Sequence, residues 1–509
     1  MDKKYTFEID NITWNDLSLE SIYSRLNSCI TTAGDDYFRY CIKNPYIKNC
    51  DDYESRVDLF EESACFNNYE PLIKAFQYIS KLTKYNFIDE INSFNDTESN
   101  SNVKHYIIDI LLIISFFLIF VVPGPGIVLF FAMIAYAVSD YFKTKNIISG
   151  HLAVFNYLIR IIKSTSKYKV ELVSTTTEFN IRINRLKEIA VIFRPFIKGT
   201  YVISEGAKTT SNPFSILFDY IRMIFHVDII KYNSMISFIV KNKALAIECY
   251  RIIGELDTAL CVNKVKNEYV SKGLKLCKPN FCDEKRIMIK DGYHLMIEHP
   301  VCNTIDSNKN ILITGCNASG KSTFLKLVAL NALFAQSLGF VFADEYKASF
   351  YRIYSSMALS DDIDKGESYF MAEIKSLKRI VDASTCEQDE SESVPVLCVI
   401  DEVLRGTNTV ERIAASVEIL LGLSKNNVMC ITATHDIELT ELLKDNYENH
   451  HFSEEIDEND VKFNYLINKG PAKSRNAIRL LNVLGYSEDI VENAGRRADE
   501  FLNTGVWTV

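Results

Sequence analysis

The sequence predicts a multidomain protein in which a helical region carries an inserted hydrophobic hairpin and is followed by an α/β domain. Apolar residues recur at helical spacing in residues 1–103 and 146–282, and residues 104–145 are almost uncharged. Short β-rich runs alternate with helical stretches in residues 283–509. A chain of 509 residues is long enough for several domains with their own cores, so we take these four ranges as the predicted segments.

The composition argues against a general affinity for nucleic acid. The formal net charge is −10, so any contact with DNA would have to come from a local basic patch. The 13 cysteines are scattered and form no C-x-x-C pair, which is typical of reduced, buried thiols in a cytosolic compartment. The first residues, MDKKYTFEID, lack the apolar core of a secretion signal.

The helical region contains one cluster of basic residues. Residues 146–260 form long amphipathic helical patterns, and within them lie Arg182, Arg185, Lys187, Arg194 and Lys198. A solvated helix face is the favoured interpretation of this cluster. A stripe that contacts phosphates is the alternative.

The hairpin has two apolar arms, residues 106–122 and 127–138, around the turn sequence Pro-Gly-Pro-Gly. Both arms are shorter than the roughly 20 residues that cross a bilayer comfortably, so a hairpin buried in a soluble core is an open alternative. Basic residues flank both open ends, at Lys104, Lys143 and Lys145, and the tip has no charge. The positive-inside rule then predicts a membrane-associated protein that faces the cytoplasm, tethered through residues 104–145.

The α/β region contains a glycine-rich loop between a strand and a helix. Residues 311–314 form an apolar strand pattern, GCNASGKS follows, and a helical run begins with TFLKLVAL. This is the context required by the G-x-x-x-x-G-K-[ST] phosphate-binding loop, or P-loop. The candidate nucleotide-binding residues are Gly315, Cys316, Asn317, Ala318, Ser319, Gly320, Lys321, Ser322 and Thr323.

These residue types suit ATP with Mg²⁺. Glycines let backbone N–H groups surround the phosphates, and the amino end of the following helix adds positive potential. The ammonium of Lys321 can reach the β- and γ-phosphates, and the hydroxyl of Ser322 can bind Mg²⁺.

Two carboxylates end a second apolar strand, VLCVI, about eighty residues further on. This is a Walker B pattern, in which Asp401 would hold Mg²⁺ and Glu402 would orient or deprotonate the attacking water. A third apolar strand, residues 428–432, leads to Thr434 and His435. A polar side chain at the carboxyl edge of that strand could sense the γ-phosphate, although a structural histidine is the alternative.

The order of the motifs resembles the ATPase domain of the MutS family, which is ABC-like in fold. The matching runs are GCNASGKST, DDIDKGESYFMAEI, IDEVLRGTNTVERIA, ATHDIELTELL and NKGPAKSRNAIRLLNVLGYSEDIVENA. Upstream, TTAGDDYFRYCIKNPYIKNCDDYESRVDLFEE is similar to the start of the MutS helical core, and IGELDTALCVNKVKNEY to the last helix before the ATPase domain. The likeness is most specific in residues 305–495.

The resemblance implies a homodimer with composite ATP sites. In the family, a signature segment of one subunit faces the ATP of the other, and here that segment is residues 367–373. Ser368 would begin a helix whose amino end and hydroxyl meet the partner's γ-phosphate. Residues 405–408 resemble the loop that crosses the dimer interface, and Tyr465 lies near the place of an aromatic ring that packs on adenine.

The sequence also departs from the family pattern. Glu411 and Arg412 stand where the family has an acid followed by glycine, and the hairpin has no counterpart. Because the resemblance to the helical core begins close to residue 1, we expect the mismatch-reading domain to be missing. We therefore expect a short, membrane-tethered MutS-like ATPase that acts as an ATP-gated clamp on DNA, in mismatch repair or on other DNA structures. The alternative is a membrane-anchored switch that acts on a protein partner without DNA. A transporter ATPase is disfavoured, because no L-S-G-G-Q-like run occurs between residues 323 and 395.

Overall fold

The computed structural model describes residues 5–65, 69–94, 102–167, 177–198, 220–316, 319–357, 369–385, 394–405, 407–425, 427–456, 461–472, 478, 481 and 485–505. The chain divides into two compact units. Unit 1 comprises Met1–Leu26, Arg39–Val57 and Lys264–Val509, and unit 2 comprises Asn27–Phe38 and Asp58–Asn263. The expected combination of a helical part with an α/β part is confirmed.

Unit 1 contains a six-stranded sheet with the strand order β10-β9-β4-β8-β7-β6. The strands from β9 to β6 pair in parallel, and only β10 is antiparallel to its neighbour. The central strands consist of buried β-branched and other apolar residues, as a sheet covered on both faces requires. The six strands of this sheet are β4 Asn310–Thr314, β6 Arg352–Ser356, β7 Val396–Asp401, β8 Val428–Thr434, β9 Tyr447–Ile456 and β10 Val461–Lys469.

A second, four-stranded sheet in unit 1 has the order β1-β5-β2-β3. Its strands are β1 Asn280–Phe281, β2 Ile287–Gly292, β3 Asn303–Ser307 and β5 Glu345–Ala348. Helix α13, Lys321–Leu338, packs on β2 of this sheet and on β7 and β8 of the larger one. Because α13 is covered on both sides, its sequence is apolar around the whole circumference. On the other face of the larger sheet lie α14, Tyr369–Thr385, and α15, Thr409–Lys425. The remaining helices after β8 are α16, Glu438–Leu442, and α17, Glu488–Thr504.

The amino-terminal helices α1, Asn11–Asp16, and α2, Leu19–Leu26, belong to unit 1, which differs from the four predicted segments. Buried polar contacts explain the difference. Asp16 accepts hydrogen bonds from Ser355 Oγ at 2.7 Å and from the Met357 amide at 3.0 Å. Gln336 donates to the carbonyls of Tyr46 and Tyr351 at 2.8 and 2.9 Å. The contacts of Asp16 and the contact of Gln336 with Tyr46 join residues 290 to 341 positions apart, and no local pattern reveals them.

The described residues of unit 2 form helices and their connecting loops, without a strand. Residues 32–38 of α3, Thr32–Lys43, and residues 58–62 of α4, Asp51–Glu62, belong to unit 2, and the rest of both helices belongs to unit 1. A single turn of 3₁₀ helix, Ser63–Cys65, follows α4. The other helices are α5 Glu70–Ile79, α6 Phe87–Ser93, α7 Val103–Val121, α8 Pro123–Lys167, α9 Thr177–Ile192, α10 Arg194–Ile197, α11 Val227–Lys241 and α12 Lys243–Ser271, which continues into unit 1. Asp257 on α12 is buried and accepts from the amides of Ile30 and Thr31, so it fixes the chain just before α3.

Helices α7 and α8 form the hairpin, and both are longer than the arms inferred from the sequence. The 19 residues of α7 correspond to about 28 Å, close to the roughly 30 Å of a hydrocarbon core. The Pro-Gly-Pro-Gly sequence is not a separate turn: α8 begins at Pro123, because proline suits the first helical position, where no N–H is needed. A side chain at Gly126 would come within 2.8 Å of the Ile119 backbone, so glycine permits the close approach of the two helices.

The hairpin presents its apolar side chains outward. In the most apolar 18-residue stretches of the two helices, only 22% and 17% of the residues are buried. Both helices are long and apolar enough to cross a membrane. A hairpin buried in a soluble core would instead have most of these side chains covered.

The basic cluster in α9 makes ion pairs within the chain. Arg182 contacts Glu178 and Glu255, and Arg185 contacts Glu248 and Glu188. Glu255 is 5% exposed, so its pair with Arg182 is an internal contact. For these two of the five basic residues, the ion pairs argue against a stripe that contacts phosphates, and the internal pair of Arg182 also differs from the solvated face that was expected.

Candidate nucleotide-binding site

Three strands deliver the candidate residues to one edge of the six-stranded sheet. Gly315 follows β4, Asp401 ends β7, and His435 follows β8. In the ladder, Thr314 is opposite Thr434, and Asp401 is opposite Ala433. Parallel strands end at the same edge, where α/β proteins bind ligands in the crevice beyond the strand ends.

The glycine-rich loop depends on two backbone positions that exclude a side chain. Gly315 has φ +151°, and a Cβ there would lie 3.0 Å from the Phe452 carbonyl oxygen and from Ser319 Oγ. Gly320 has φ +106° and caps α13 at its amino end. Asn317 and Ala318 lie outside the described residues.

Lys321, the first residue of α13, points back into the loop. Its Nζ donates to the carbonyl oxygens of Gly315 and Cys316, each at 2.8 Å. Burial lowers the pKa of this ammonium, and the charges of Asp401 and Glu402 oppose that effect. The buried Ser319 hydroxyl has no hydrogen-bond partner among the described residues. An ammonium held by two carbonyls and an unpaired hydroxyl are groups that an incoming phosphate would satisfy.

The end of β7 supplies the two predicted carboxylates. Ser322 Oγ donates to Asp401 Oδ2 at 2.6 Å, so the two residues assigned to Mg²⁺ are adjacent. Hard oxygen donors of this kind are those that Mg²⁺ prefers.

Glu402 is held between a histidine and an arginine. His435 Nε2 donates to Glu402 Oε1 at 2.6 Å, and Arg405 Nε forms an ion pair with Oε2 at 2.5 Å. Burial by itself raises the pKa of Glu402, but the hydrogen bond from His435 and the charge of Arg405 outweigh it and lower the pKa. The backbone of Glu402 has φ +64°, a left-handed conformation that costs a non-glycine residue about 1–3 kcal/mol. The carboxylate is therefore ionised at neutral pH and fixed in direction.

The loop after Glu402 is attached to α14. Glu373, the last residue of the predicted signature segment, is 6% exposed and accepts from the Arg405 amide at 3.2 Å. Burial raises the pKa of Glu373, although the amides of Arg405 and Leu404 oppose the rise. The structure thus gives this acid a role within its own chain. Ser368 and Gly406, also named from the sequence, lie outside the described residues.

Arg412 makes a contact that the sequence did not suggest. Its Nε and Nη2 donate to the two carboxylate oxygens of Asp436 at 2.9 and 2.6 Å. Asp436 directly follows His435, and its amide donates to Thr434 Oγ1 at 3.0 Å. This bidentate pair links the first turn of α15 to the loop that carries His435. The departure from the family pattern at Arg412 therefore lies next to the site.

A cavity of about 380 Å³ opens beside the loop. Its wall is mainly apolar and aromatic and consists of His294, Ile297, His299, Val301, Asn303, Gly320, Thr323, Phe324, Leu327, Phe452 and Tyr465. Tyr465 is 45% exposed, and its ring lies next to Gly320. Burial lowers the pKa of His294 to about 4, so this side chain is neutral at physiological pH. The cavity has the character of a pocket for a flat, weakly polar group.

Asn303 holds the strand that carries Tyr465. Strand β10 is irregular between Phe463 and Ile467, and Tyr465 has φ +55° there. Asn303 Nδ2 donates to the Tyr465 carbonyl at 3.0 Å, and its Oδ1 accepts from the Ile467 amide at 2.8 Å. Both backbone groups would otherwise lack a ladder partner at the irregularity. No sequence signal marked Asn303 as part of the site.

These elements define an α/β domain with the residues of a phosphate-binding loop, a Walker B carboxylate pair and a histidine at one sheet edge. Residues 311–502 match the family model described as MutS domain V. The chain is also 30% identical over 254 residues to the DNA mismatch repair protein MutS of Thermus thermophilus, which covers 48% of this chain and 29% of that protein.

Two further proteins with the same description give similar matches. The one from Pseudothermotoga lettingae is 30% identical over 53% of this chain and 33% of its own length, and the one from Thermus aquaticus is 32% identical over 50% and 30%. The chain spans about a third or less of the length of these relatives. Residues 311–502 match the MutS family in its domain V, which confirms the resemblance inferred from the motifs.

We predict that Asn303→Ala weakens ATP binding, because Tyr465 loses the two hydrogen bonds that hold its strand. The expected loss is about fivefold to tenfold in Kd, the equivalent of one or two ordinary hydrogen bonds. Titration with a fluorescent ATP analogue measures this, and Asn308→Ala, in the exposed turn after β3, serves as the matched control. An unchanged Kd in Asn303→Ala would remove Asn303 and the Tyr465 strand from the binding site.

Proposed function

We propose that this chain binds ATP with Mg²⁺ and hydrolyses it at the edge of the six-stranded sheet. The observation that carries the proposal is the arrangement of Glu402. Its carboxylate is half-buried, ionised and oriented by His435, one residue after the Asp401 that pairs with Ser322. A structural acid would not require the strained backbone that Glu402 adopts.

The chain's own groups supply the steps of binding and positioning. Lys321 exchanges two loop carbonyls for phosphate oxygens, and Gly315 and Gly320 leave room for backbone N–H groups to approach them. Ser322 and Asp401 would hold Mg²⁺, which when bound neutralises phosphate charge. Glu402 accepts a hydrogen bond from the attacking water and directs it, and His435 keeps Glu402 in place. The cavity beside Tyr465 would take the adenine ring.

We predict that Lys321→Ala and Glu402→Gln separate binding from turnover. Lys321→Ala should raise the Kd for ATP at least about tenfold, because a charge-assisted contact to phosphate is worth about 1.5–3 kcal/mol. Glu402→Gln should leave Kd within a fewfold and lower kcat roughly 10²- to 10⁴-fold, the usual contribution of a positioned base. Equilibrium titration and phosphate release measure the two effects.

A half-buried lysine and an exposed glutamate outside the phosphate-binding loop serve as controls. Lys326 lies on α13 one to two turns beyond the loop, and Glu418 lies on α15. Lys326→Ala and Glu418→Gln should both have the wild-type Kd and kcat. Wild-type kcat in Glu402→Gln would show that the role assigned to Glu402 is wrong.

We further propose that two chains form a dimer with shared ATP sites. The support is the family resemblance of residues 367–373 and 405–408, of which Ser368 would face the partner's ATP. Within one chain, Arg405 already contacts Glu402, and the Arg405 amide contacts Glu373. A phosphate of the partner's ATP that contacts residues 405–408 would therefore affect Glu402, the carboxylate that directs the attacking water. ATP would join the two chains and hydrolysis would loosen them.

We predict that mixing two inactive variants restores activity. Lys321→Ala removes the phosphate contact of one chain, and Ser368→Arg blocks the surface lent to the other. Each variant alone should be nearly inactive, and an equimolar mixture should recover about a quarter of wild-type turnover, from the one intact site in each heterodimer. Failure to recover activity, under conditions where labelled subunits demonstrably exchange, would rule out the shared site.

We propose that the hairpin tethers the chain to a membrane with both units on the cytoplasmic side. The support is the exposure of its apolar side chains together with the lysines at its open end and the uncharged tip.

We predict that the full-length protein sediments with membranes and resists extraction by carbonate, since two apolar helices of this length hold the chain in a bilayer. Deleting residues 104–145 should release an ATPase that still binds ATP with the wild-type Kd. Full-length protein in the soluble fraction without detergent would refute the tether and favour the buried hairpin.

The proposed partner of the switch is DNA, in keeping with the name of the relatives, and the alternative is a protein partner. One observation favours the alternative, because Arg182 and Arg185 are neutralised by acids of their own unit. We expect a clamp on DNA to show ATP turnover that changes at least about twofold with duplex DNA and that loses this response at high salt. Turnover indifferent to matched, mismatched and single-stranded DNA would support the protein-partner switch.

A further inference from the structure

Two imidazoles and a carboxylate meet inside unit 2 at the lysine-flanked end of the hairpin. His105 lies in the first turn of α7, Asp140 lies on α8, and His226 directly precedes α11. One donor atom of each side chain lies within 4.8 Å of the donor atoms of the other two. The cluster is separate from the nucleotide site, which belongs to unit 1.

The donor atoms of this cluster are buried and unpaired. His226 is 0% exposed, and neither of its ring nitrogens has a hydrogen-bond partner in the part of the chain that the structure describes. The same is true of His105 Nδ1 and of Asp140 Oδ2. Asp140 Oδ2 lies 3.6 Å from His226 Nε2 and 3.8 Å from His105 Nδ1, which is too far for hydrogen bonds. A fully buried imidazole without a partner is costly, so the arrangement calls for a ligand that satisfies several donors at once.

We propose that His105, Asp140 and His226 bind a divalent transition-metal ion of the Zn²⁺ type. Two imidazole nitrogens with one carboxylate oxygen are donors that suit Zn²⁺ and not Mg²⁺ or Ca²⁺, which take oxygen ligands. Bonds of about 2.0–2.2 Å place tetrahedral donors roughly 3.3 Å apart, so the three side chains need to close by only a fraction of an ångström to about 1.5 Å.

Neighbouring residues lie against one donor atom of Asp140 and one of His226. The second donor atom of each side chain therefore faces the centre of the cluster. Lys104 binds the other oxygen of Asp140, Oδ1, which leaves Oδ2 for the metal. Asp109 Oδ1 lies 3.8 Å from His226 Nδ1, on the opposite side of the ring from Nε2. A small shift would let Nδ1–H donate to Asp109 and leave Nε2 as the ligand, an arrangement that metal-binding histidines commonly have. His226 has φ +51°, so the backbone is strained in the conformation that turns its ring inward.

Such an ion would join three segments that are distant in sequence. It would connect the start of α7, the middle of α8 and the start of α11, and so close the base of the hairpin. The expected role is structural, since all three donors are buried. Metal binding here would require neither ATP nor insertion of the hairpin into a membrane, although His105 and Asp140 lie within residues 104–145.

Metal content and stability test the proposal on the full-length protein, purified in detergent without a polyhistidine tag. After removal of metal by a chelator and equilibration with Zn²⁺, the wild type should retain about one equivalent per chain by elemental analysis. His226→Gln and Asp140→Asn should each retain less than about a fifth of an equivalent. Substituting Co²⁺ should give visible absorption in the wild type alone.

His151→Gln is the matched control. His151 is a half-buried histidine of unit 2 whose nitrogens contact Tyr232 Oη at 2.6 Å and Ser93 Oγ at 3.0 Å, so the variant should keep the full equivalent. Asp401→Asn should likewise keep it, which separates this site from the Mg²⁺ site. If His226→Gln fails to fold, the nearly isosteric Asp140→Asn still tests the site through its metal content. In the wild type, Zn²⁺, but not Mg²⁺, should raise the Tm by several degrees, and a chelator should reverse the rise. Absence of bound Zn²⁺ in the wild type, or an equal content in Asp140→Asn, would overturn the proposal.

Discussion

The parallel pairing of β8 between β4 and β7 is the constraint on which the nucleotide site depends. This register sets Thr314 opposite Thr434 and Asp401 opposite Ala433, so that three chain segments leave the sheet at one level. A shift of one residue in β8 would turn His435 away from Glu402, since side chains alternate between the two faces of a strand. The buried apolar residues of all three strands hold the register, and the chemistry at the sheet edge follows from core packing.

One group of the site is already oriented for the reaction, and others would change their contacts when phosphate binds. Glu402 is ionised and oriented without any ligand, through His435 and Arg405. Lys321 and Ser319 are different, since one is bound to loop carbonyls and the other has no partner. Orienting the carboxylate in advance avoids reorganisation during the reaction, while the loop exchanges its internal contacts for those of phosphate. The strained backbone at Glu402 indicates that packing around β7 and β8 maintains this direction against a local preference.

Local patterns predicted the loop, the carboxylate pair and the histidine, because each lies next to an apolar strand in a recognisable order. The same reasoning missed Asn303, whose contacts to Tyr465 and Ile467 join residues more than 160 positions apart. It also missed the contact of Arg412 with Asp436, which joins two different elements 24 positions apart. The attachment of the first helices to unit 1 was missed because it depends on contacts such as that of Asp16 with Ser355, 339 positions apart. The length of the hairpin helices was underestimated, because Pro123 was taken to end a helix when it begins one.

Helix α8 runs for 45 residues without interruption, which corresponds to about 67 Å. Its first half carries the outward apolar side chains of the hairpin, and its second half is buried in the core of unit 2, with Phe155, Tyr157 and Leu158 all at 0% exposure. Gly150 lies between the halves, but Glu90 occupies the space beside it, which opposes bending at that point. Because the helix is continuous, a change in the tilt of its apolar first half would change the tilt of its buried second half as well. If the hairpin is embedded in a membrane as proposed, bilayer thickness and curvature, which set the tilt of an embedded helix, would act on the folded core of unit 2 through α8.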